Sequence, residues 1–301
     1  MTLGYDGTLF ILAFDHRGSF QTTFFGIEGA PGPEDAMRII DAKRVIFEGM
    51  QRALTQGADA ASAGVLVDEQ FGTDVARSTK AQGLILAMPV ERSGQHEFDF
   101  EYGTEYAAHL EGFDPSFAKV LVRFNPEGDG AMNARQSARL RELSDWLHHT
   151  DRRFLFELLV PAEQHQLEAV AHDVGRYDRE LRPGLMRVAI AQLQESGVEP
   201  DVWKIEGLDD RSDCVAIVEQ CRIAGRDGVG CVVLGRGADD AAVDRWLRAA
   251  REVPGYQGFA IGRSIWWDPL KFFVDGALPR DEAVIRIASN YLRFVAVYRQ
   301  G

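Results

Sequence analysis

The sequence predicts an α/β protein: a (β/α)8 TIM barrel formed by residues 1–301 as a single domain. Two observations carry that prediction. Short apolar segments, mostly separated by longer stretches of helical periodicity, run the whole length of the chain, and strands alternating with helices build parallel sheets. Asp15, Asp68, Glu91, Arg123, Arg236 and Arg263 fall at or just past the C-terminal ends of those segments, where such barrels gather their active sites. A doubly wound open sheet is the alternative, because alternation alone does not separate the two. No Gly/Ser linker, low-complexity run or repeat of fixed period divides the chain, so one domain is expected.

In chain order, strand 8–14 leads to helix 34–56 and strand 60–67 to helix 74–82. Strand 84–88 is followed by residues 91–115, rich in Gly, Glu, Asp and His, read either as a lid over the barrel mouth or as an irregular crossover. Strand 119–124 precedes helix 133–149. Strand 154–160 is followed by helices 164–173 and 184–194. Strand 202–205 precedes helix 213–224, and strand 231–234 precedes helix 239–251. Strand 258–261 completes the set of eight, and helix 281–298 closes the chain.

A chain of 301 residues can bury a substantial core without disulfides or metals. Its net charge of -13 disfavours nucleic acid or an anionic membrane as the main partner. It leaves room for an anionic small substrate held by local arginines. Cys214, Cys221 and Cys231 have neither zinc-site spacing nor an even count, which fits a reduced, cytoplasmic protein. The N-terminus lacks a basic region followed by an apolar run, so no signal peptide is expected. No apolar stretch approaches the roughly 20 residues of a membrane span.

Lys204 is the most informative residue. It interrupts the apolar strand Val202-Trp203-Lys204-Ile205, on the face opposite Trp203 and Ile205. A buried ammonium is costly unless paired or neutralised. Burial lowers a lysine's pKa, and the neutral amine is a nucleophile toward carbonyls. Glu157 interrupts the preceding strand in the same way. Neighbouring strands lie about 4.8 Å apart, so the two side chains are placed to meet. They form either a structural ion pair or a nucleophile with a proton-shuttling carboxylate. Lys119 opens the fourth strand; it is either a second cation beside Lys204 or a solvated lysine. Asp15 shares a face with Ile11 and Ala13, which aims it into the barrel mouth. Arg17 reads equally as a surface ion-pair partner or a substrate ligand. His16 has no ligand spacing to another histidine, and His148 and His149 read as surface residues. No metal site, Gly-x-Ser-x-Gly elbow or Walker loop appears.

The seventh and eighth strands end in Leu234-Gly235-Arg236-Gly237 and Ile261-Gly262-Arg263-Ser264. Gly235 and Gly262 expose backbone N–H groups, and Arg236 and Arg263 add bidentate donors for phosphate or carboxylate. The loops after these two strands are the usual phosphate site of this barrel. Turn glycines with surface arginines are the plain alternative.

Taken in order, these segments resemble the class I, Schiff-base aldolases of the tagatose-bisphosphate and sulfofructose-phosphate type. Asp15-His16-Arg17-Gly18-Ser19 is similar to that family's Asp-Gln-Arg-Gly-Ser, with His16 in place of Gln. Ala118-Lys119-Val120-Leu121, Leu155-Phe156-Glu157, Asp201-Val202-Trp203-Lys204-Ile205-Glu206 and Gly262-Arg263-Ser264-Ile265-Trp266 complete the likeness. A nearer resemblance is to the aldolase-like domain fused behind the sugar kinase 5-dehydro-2-deoxygluconokinase of bacterial myo-inositol breakdown. Its marks are Leu12-Ala13-Phe14-Asp15-His16-Arg17, Val67-Asp68-Glu69-Gln70-Phe71-Gly72, Pro89-Val90-Glu91-Arg92-Ser93-Gly94 and Arg123-Phe124-Asn125-Pro126-Glu127.

The resemblance implies Lys204 as imine former, Glu157 as proton shuttle, and Lys119 and Asp15 as supporting charges. It implies a cofactor-free lyase acting on a phosphorylated keto sugar or sugar acid. Arg17, Arg123, Arg236 and Arg263 are the candidates for its carboxylate and phosphate. A non-catalytic sugar-phosphate-binding module and a metal-dependent lyase are the alternatives; activity that survives a chelator would dismiss the latter. Self-association and a separate sugar kinase in the same pathway are open partner classes.

Overall fold

In the computed structural model, which describes residues 2–300, eight parallel strands close into one barrel in sequential order. They are β1 (Leu9–Ala13), β2 (Ala63–Leu66), β3 (Ile85–Pro89), β4 (Phe117–Arg123), β5 (Arg153–Leu159), β6 (Val202–Glu206), β7 (Gly230–Leu234) and β8 (Tyr256–Ile261). Because β8 pairs with β1, the open doubly wound sheet is ruled out. The crossovers carry α1 (Pro33–Thr55), α2 (Glu69–Ala81), α3 (Tyr106–Phe113), α4 (Gly130–His149), α5 (Gln164–Ala169), α6 (Val174–Arg176), α7 (Arg182–Glu195), α8 (Arg211–Arg222) and α9 (Asp240–Arg251). After β8 come α10 (Arg263–Val274) and α11 (Arg280–Arg299).

The two-residue period of each strand divides the core. Leu9, Ile11, Phe117, Leu155, Val202 and Val232 pack together within the barrel. Their neighbours Phe10, Leu12, Val120, Phe156, Trp203 and Ile205 pack outward with the helices. Fully buried Asp201 accepts the Gly4 and Phe154 N–H groups, each at 2.8 Å, and Tyr5 meets Phe117 edge-on. These contacts close the N-terminal end, so the inward charges further along each strand face the opposite mouth.

Several elements differ from the sequence reading. Strand β4 begins two residues earlier than residue 119, because Phe117 and Ala118 already pair with β3 and β5. Helix α2 begins at Glu69 rather than 74, since Asp68 caps it by accepting the Phe71 N–H at 2.8 Å. The 91–115 segment holds an antiparallel bridge between Glu91 and Phe100 and then α3. Helix α10 has no counterpart in the sequence reading; Pro269 inside it is a residue that ordinarily breaks helices. His148, read as surface, is half-buried with Nε2 3.5 Å from Asp201 Oδ2. Among the described residues, no helix is long and apolar enough to cross a membrane.

Candidate active site

The inward positions at the C-terminal ends of the strands surround a cavity of about 350 Å³. Register sets Glu157 of β5 beside Lys204 of β6, and Lys204 Nζ lies 2.9 Å from Glu157 Oε2. Lys119 Nζ approaches the same oxygen at 3.1 Å. It also donates to Asp15 Oδ2 and Glu91 Oε1, each at 2.7 Å. Lys119 is therefore the hub of three carboxyls, two from just past the ends of β1 and β3 and one from β5. All five side chains are buried and all line the cavity.

Burial and charge pull on these groups in opposite directions. Desolvation would lower the Lys119 pKa, but Asp15, Glu157 and Glu91 together hold it well above the ordinary lysine range, so Lys119 remains a cation. Asp15 and Glu157 are raised by burial, yet Lys119 and Lys204 draw both below the usual carboxylate range. Glu91 goes the other way. Burial raises it, and the pull of Lys119 and Arg17 does not compensate.

Arg17 fixes one wall of the cavity. Its Nη1 donates to Glu101 Oε2 at 2.9 Å and its Nη2 to the Glu91 carbonyl at 2.6 Å. Gly18 N–H donates to Ser93 Oγ at 3.0 Å, which ties the end of β1 to residues 91–101. Arg123 Nη1 donates to the Gln95 carbonyl at 2.8 Å. Arg17 Nε and Gln95 Nε2 are buried without hydrogen-bond partners, on residues that line the cavity. His16 Nδ1 is likewise unpartnered, and its ring stands edge-on to Trp266. Desolvation, with Arg263, Lys43 and Lys204 nearby, overcomes the pull of Asp15 and lowers the His16 pKa from 6.5 to about 4. The ring is therefore neutral near pH 7.

Another stretch of the wall is built by the ends of β7 and β8. Arg236 and Gly237 both adopt left-handed backbone, and a Cβ on Gly237 would strike the Arg263 guanidinium. Glycine thus lets Arg263 lie across the loop, where its Nη2 donates to the Arg236 carbonyl at 3.2 Å. Helix α10 starts at Arg263 directly after β8, so its first N–H groups and positive dipole end lie beside the cavity. Arg236 is partly committed elsewhere: Nη1 is 2.8 Å from Asp178 Oδ2 and Nε is 3.1 Å from Glu206 Oε1.

Of the residues singled out in sequence, Lys204, Glu157, Lys119, Asp15, Arg17, Arg123, Arg236, Gly262 and Arg263 all line the cavity. Gly235 is not on the wall; it packs against Ile261, and Gly237 takes the place facing the cavity. Arg17 is buried rather than a surface ion-pair residue. In sequence Glu91 shows only as a rim residue, His16 only as a histidine without ligand spacing and Ser93 only as part of a motif, none with a task, and nothing singles out Gln95. The Glu91-Arg92-Ser93-Gly94-Gln95 run after a strand end was the available signal. Among the described residues no group of three or more His, Cys, Asp or Glu side chains is placed to hold a metal ion.

The same fold is found in a fructose-bisphosphate aldolase from Plasmodium falciparum, solved with TRAP and a small-molecule inhibitor. That structure is 12% identical with a TM-score of 0.64, over 98% of this chain and 93% of that one. An archaeal fructose 1,6-bisphosphate aldolase is 14% identical with a TM-score of 0.57, over 98% of this chain and 95% of that one. A Schiff base forming fructose-1,6-bisphosphate aldolase is 14% identical with a TM-score of 0.57, over 96% and 94% of the two chains. At these identities the likeness is one of fold. No curated protein sequence matches significantly. Residues 5–301 match the profile of a family described as an uncharacterized protein conserved in bacteria.

Proposed function

We propose that this chain, which belongs to the family DUF2090, is a lyase that cleaves a phosphorylated keto sugar or keto sugar acid by retro-aldol chemistry through an imine on Lys204. The observation that carries this reading is the buried Lys204–Glu157 contact of 2.9 Å, with Lys119 on the same carboxylate oxygen. A structural ion pair has no need of a second lysine or of a cavity over it. An amine that must exchange protons while a carbonyl becomes an imine needs a carboxyl at that distance.

Lys204 gives one ammonium proton to Glu157 and its Nζ adds to the substrate ketone, while a second nitrogen proton moves to the carbonyl oxygen and gives the carbinolamine. Glu157 returns a proton to the carbinolamine hydroxyl, which leaves as water and gives the protonated imine. The hydroxyl on the carbon β to that imine then gives its proton to Glu157. The electron pair of the carbon–carbon bond flows to nitrogen, forming an enamine and releasing an aldehyde. Protonation of the enamine carbon and hydrolysis of the imine return Lys204 and release the second product. Lys119 stays charged and, with Asp15, orients substrate hydroxyls; its charge favours the developing alkoxide.

The substrate is bounded by charge. The β7–β8 wall, with Arg263 and the start of α10, suits a phosphate, and Arg17 beside residues 91–101 and Arg123 at the end of β4 offer guanidinium groups on the same lining, where a carboxylate fits. Together with the motif resemblance, this favours 2-deoxy-5-keto-gluconate 6-phosphate, cleaved to dihydroxyacetone phosphate and malonate semialdehyde in inositol catabolism. Tagatose-bisphosphate and sulfofructose-phosphate are the competing substrates. The test is incubation with each of the three and enzymatic assay of dihydroxyacetone phosphate. Release is expected fastest from the keto sugar acid; release from none of them would refute the lyase.

A further inference from the structure

Glu91 is a buried ionisable group on the cavity wall for which the steps above have no use. It stands two residues beyond the end of β3, and its backbone is pinned by the bridge to Phe100 and by Arg17. Its two carboxyl oxygens have different surroundings. Oε1 accepts from Lys119 Nζ at 2.7 Å, whereas Oε2 is shielded from solvent and has no hydrogen-bond partner. A buried carboxylate oxygen left bare is costly, and a proton on that oxygen removes the charge that makes it so, on a residue that lines the cavity.

The charge of the cluster leads to the same assignment. Lys119 already faces Asp15 at 2.7 Å and Glu157 at 3.1 Å. The groups facing Glu91 are Lys119 from β4 and Arg17 and Asp15 from the end of β1. Arg17 is engaged by Glu101, and Asp15 repels. With Lys204 beside Glu157 and Lys119 shared by all three carboxyls, a third anion on the hub is the least compensated, which favours a proton on one of them. The one with an unpartnered oxygen is Glu91.

We propose that Glu91 is a second acid–base residue of the lyase, holding a proton in the resting site and delivering it to the enamine carbon after the aldehyde departs. The assignment rests on the lyase reading above. The proton count closes within the site. Glu157 receives the substrate hydroxyl proton during cleavage, and Glu91 gives its own proton to carbon and becomes a carboxylate. Lys119, hydrogen-bonded to Glu91 and 3.1 Å from Glu157, gives a proton to Glu91 in the same motion as it takes one from Glu157, and so stays a cation throughout. Glu157, Lys119 and Glu91 are thereby restored with no net proton taken from water.

The test uses the full-length protein and dihydroxyacetone phosphate in deuterated water. Borohydride trapping on Lys204 reports the imine, and loss of a carbon-bound proton signal by nuclear magnetic resonance reports proton transfer at carbon. Glu91→Gln is expected to keep trapping while slowing the exchange about 10²–10⁴-fold; Glu157→Gln is expected to impair both. In addition, the infrared carbonyl band of a protonated carboxyl should be present in the unmodified protein and in Glu157→Gln, and absent from Glu91→Gln. Exchange in Glu91→Gln within twofold of the parent rate overturns the role of Glu91. So does a protonated-carboxyl band that survives in that variant. Failure of the unmodified protein to trap at all overturns the lyase reading itself.

Discussion

Lys204 and Glu157 stand opposite each other in the register of β6 and β5, with Nζ 2.9 Å from Oε2. β5 and β6 therefore each commit one charge to the same point inside the barrel. The cost of burying each charge is offset by the other, and Lys119, 3.1 Å from the shared oxygen, further offsets Glu157.

Replacing Lys204 should separate chemistry from folding. In Lys204→Ala, Glu157 keeps Lys119 as a partner, so the carboxylate is not left uncompensated. Turnover should vanish while the circular dichroism spectrum and a cooperative thermal transition persist. A folded Lys204→Ala protein that still cleaves substrate would contradict the imine.

Glu157→Gln keeps the shape of the side chain and removes its capacity to exchange protons. Turnover should fall about 10²–10⁴-fold, measured as steady-state release of triose phosphate. An unchanged rate would reduce Glu157 to a structural partner of the two lysines.

The two arginines of the β7–β8 wall should differ. Arg263→Ala should weaken binding of a phosphorylated ligand more than that of its dephosphorylated counterpart, measured by titration calorimetry. Arg236→Ala should show the same selectivity together with lower thermal stability, because it also leaves Asp178 and buried Glu206 without its guanidinium. Equal losses for both ligands would remove these residues from the phosphate site.

Acid sensitivity should carry a signature of His16. Its pKa is lowered in the folded protein from 6.5 to about 4, so between those values the unfolded chain binds the proton and the folded one does not. Stability contributed by the neutral ring is therefore lost as pH falls from 6.5 toward 4. Asp15, also lowered, loses its contribution at lower pH, below its ordinary 3.8. Glu91, raised above 4.5, acts in the opposite sense and favours the folded state as pH falls. Calorimetric scans should show His16→Gln losing less stability than the parent between pH 6.5 and 4. Parallel curves would remove His16 as a titrating group.

The parts of this structure legible in the sequence are those with a short period or a single conspicuous exception to it. Strands β5 and β6 read clearly because Glu157 and Lys204 each break an apolar run, and their two-residue period fixed which face each charge would occupy. The same period in β1 aimed Asp15 inward, whereas at Lys119 it left a solvated strand start as open a reading as a buried cation. What escaped depended on contacts across the chain. Asp68 was read as a rim residue, but it caps α2 and pairs with Lys43 of α1, both buried. No local pattern links residues 25 positions apart. Glu91 looked like one acid among many in a polar segment until Lys119 and Arg17 were seen to hold it. Helix α10 was hidden by Pro269, which its packing tolerates. Gly235 and Gly237 are alike in sequence, and only the left-handed turn at Arg236 decides which faces the cavity.

The most direct measurement is borohydride reduction of the protein with a phosphorylated keto sugar acid, followed by peptide mass mapping. The expected result is one substrate-derived adduct, on the peptide containing Lys204, absent from Lys204→Ala. An adduct on Lys119 instead, or cleavage of the substrate with no adduct on any lysine, would contradict the account.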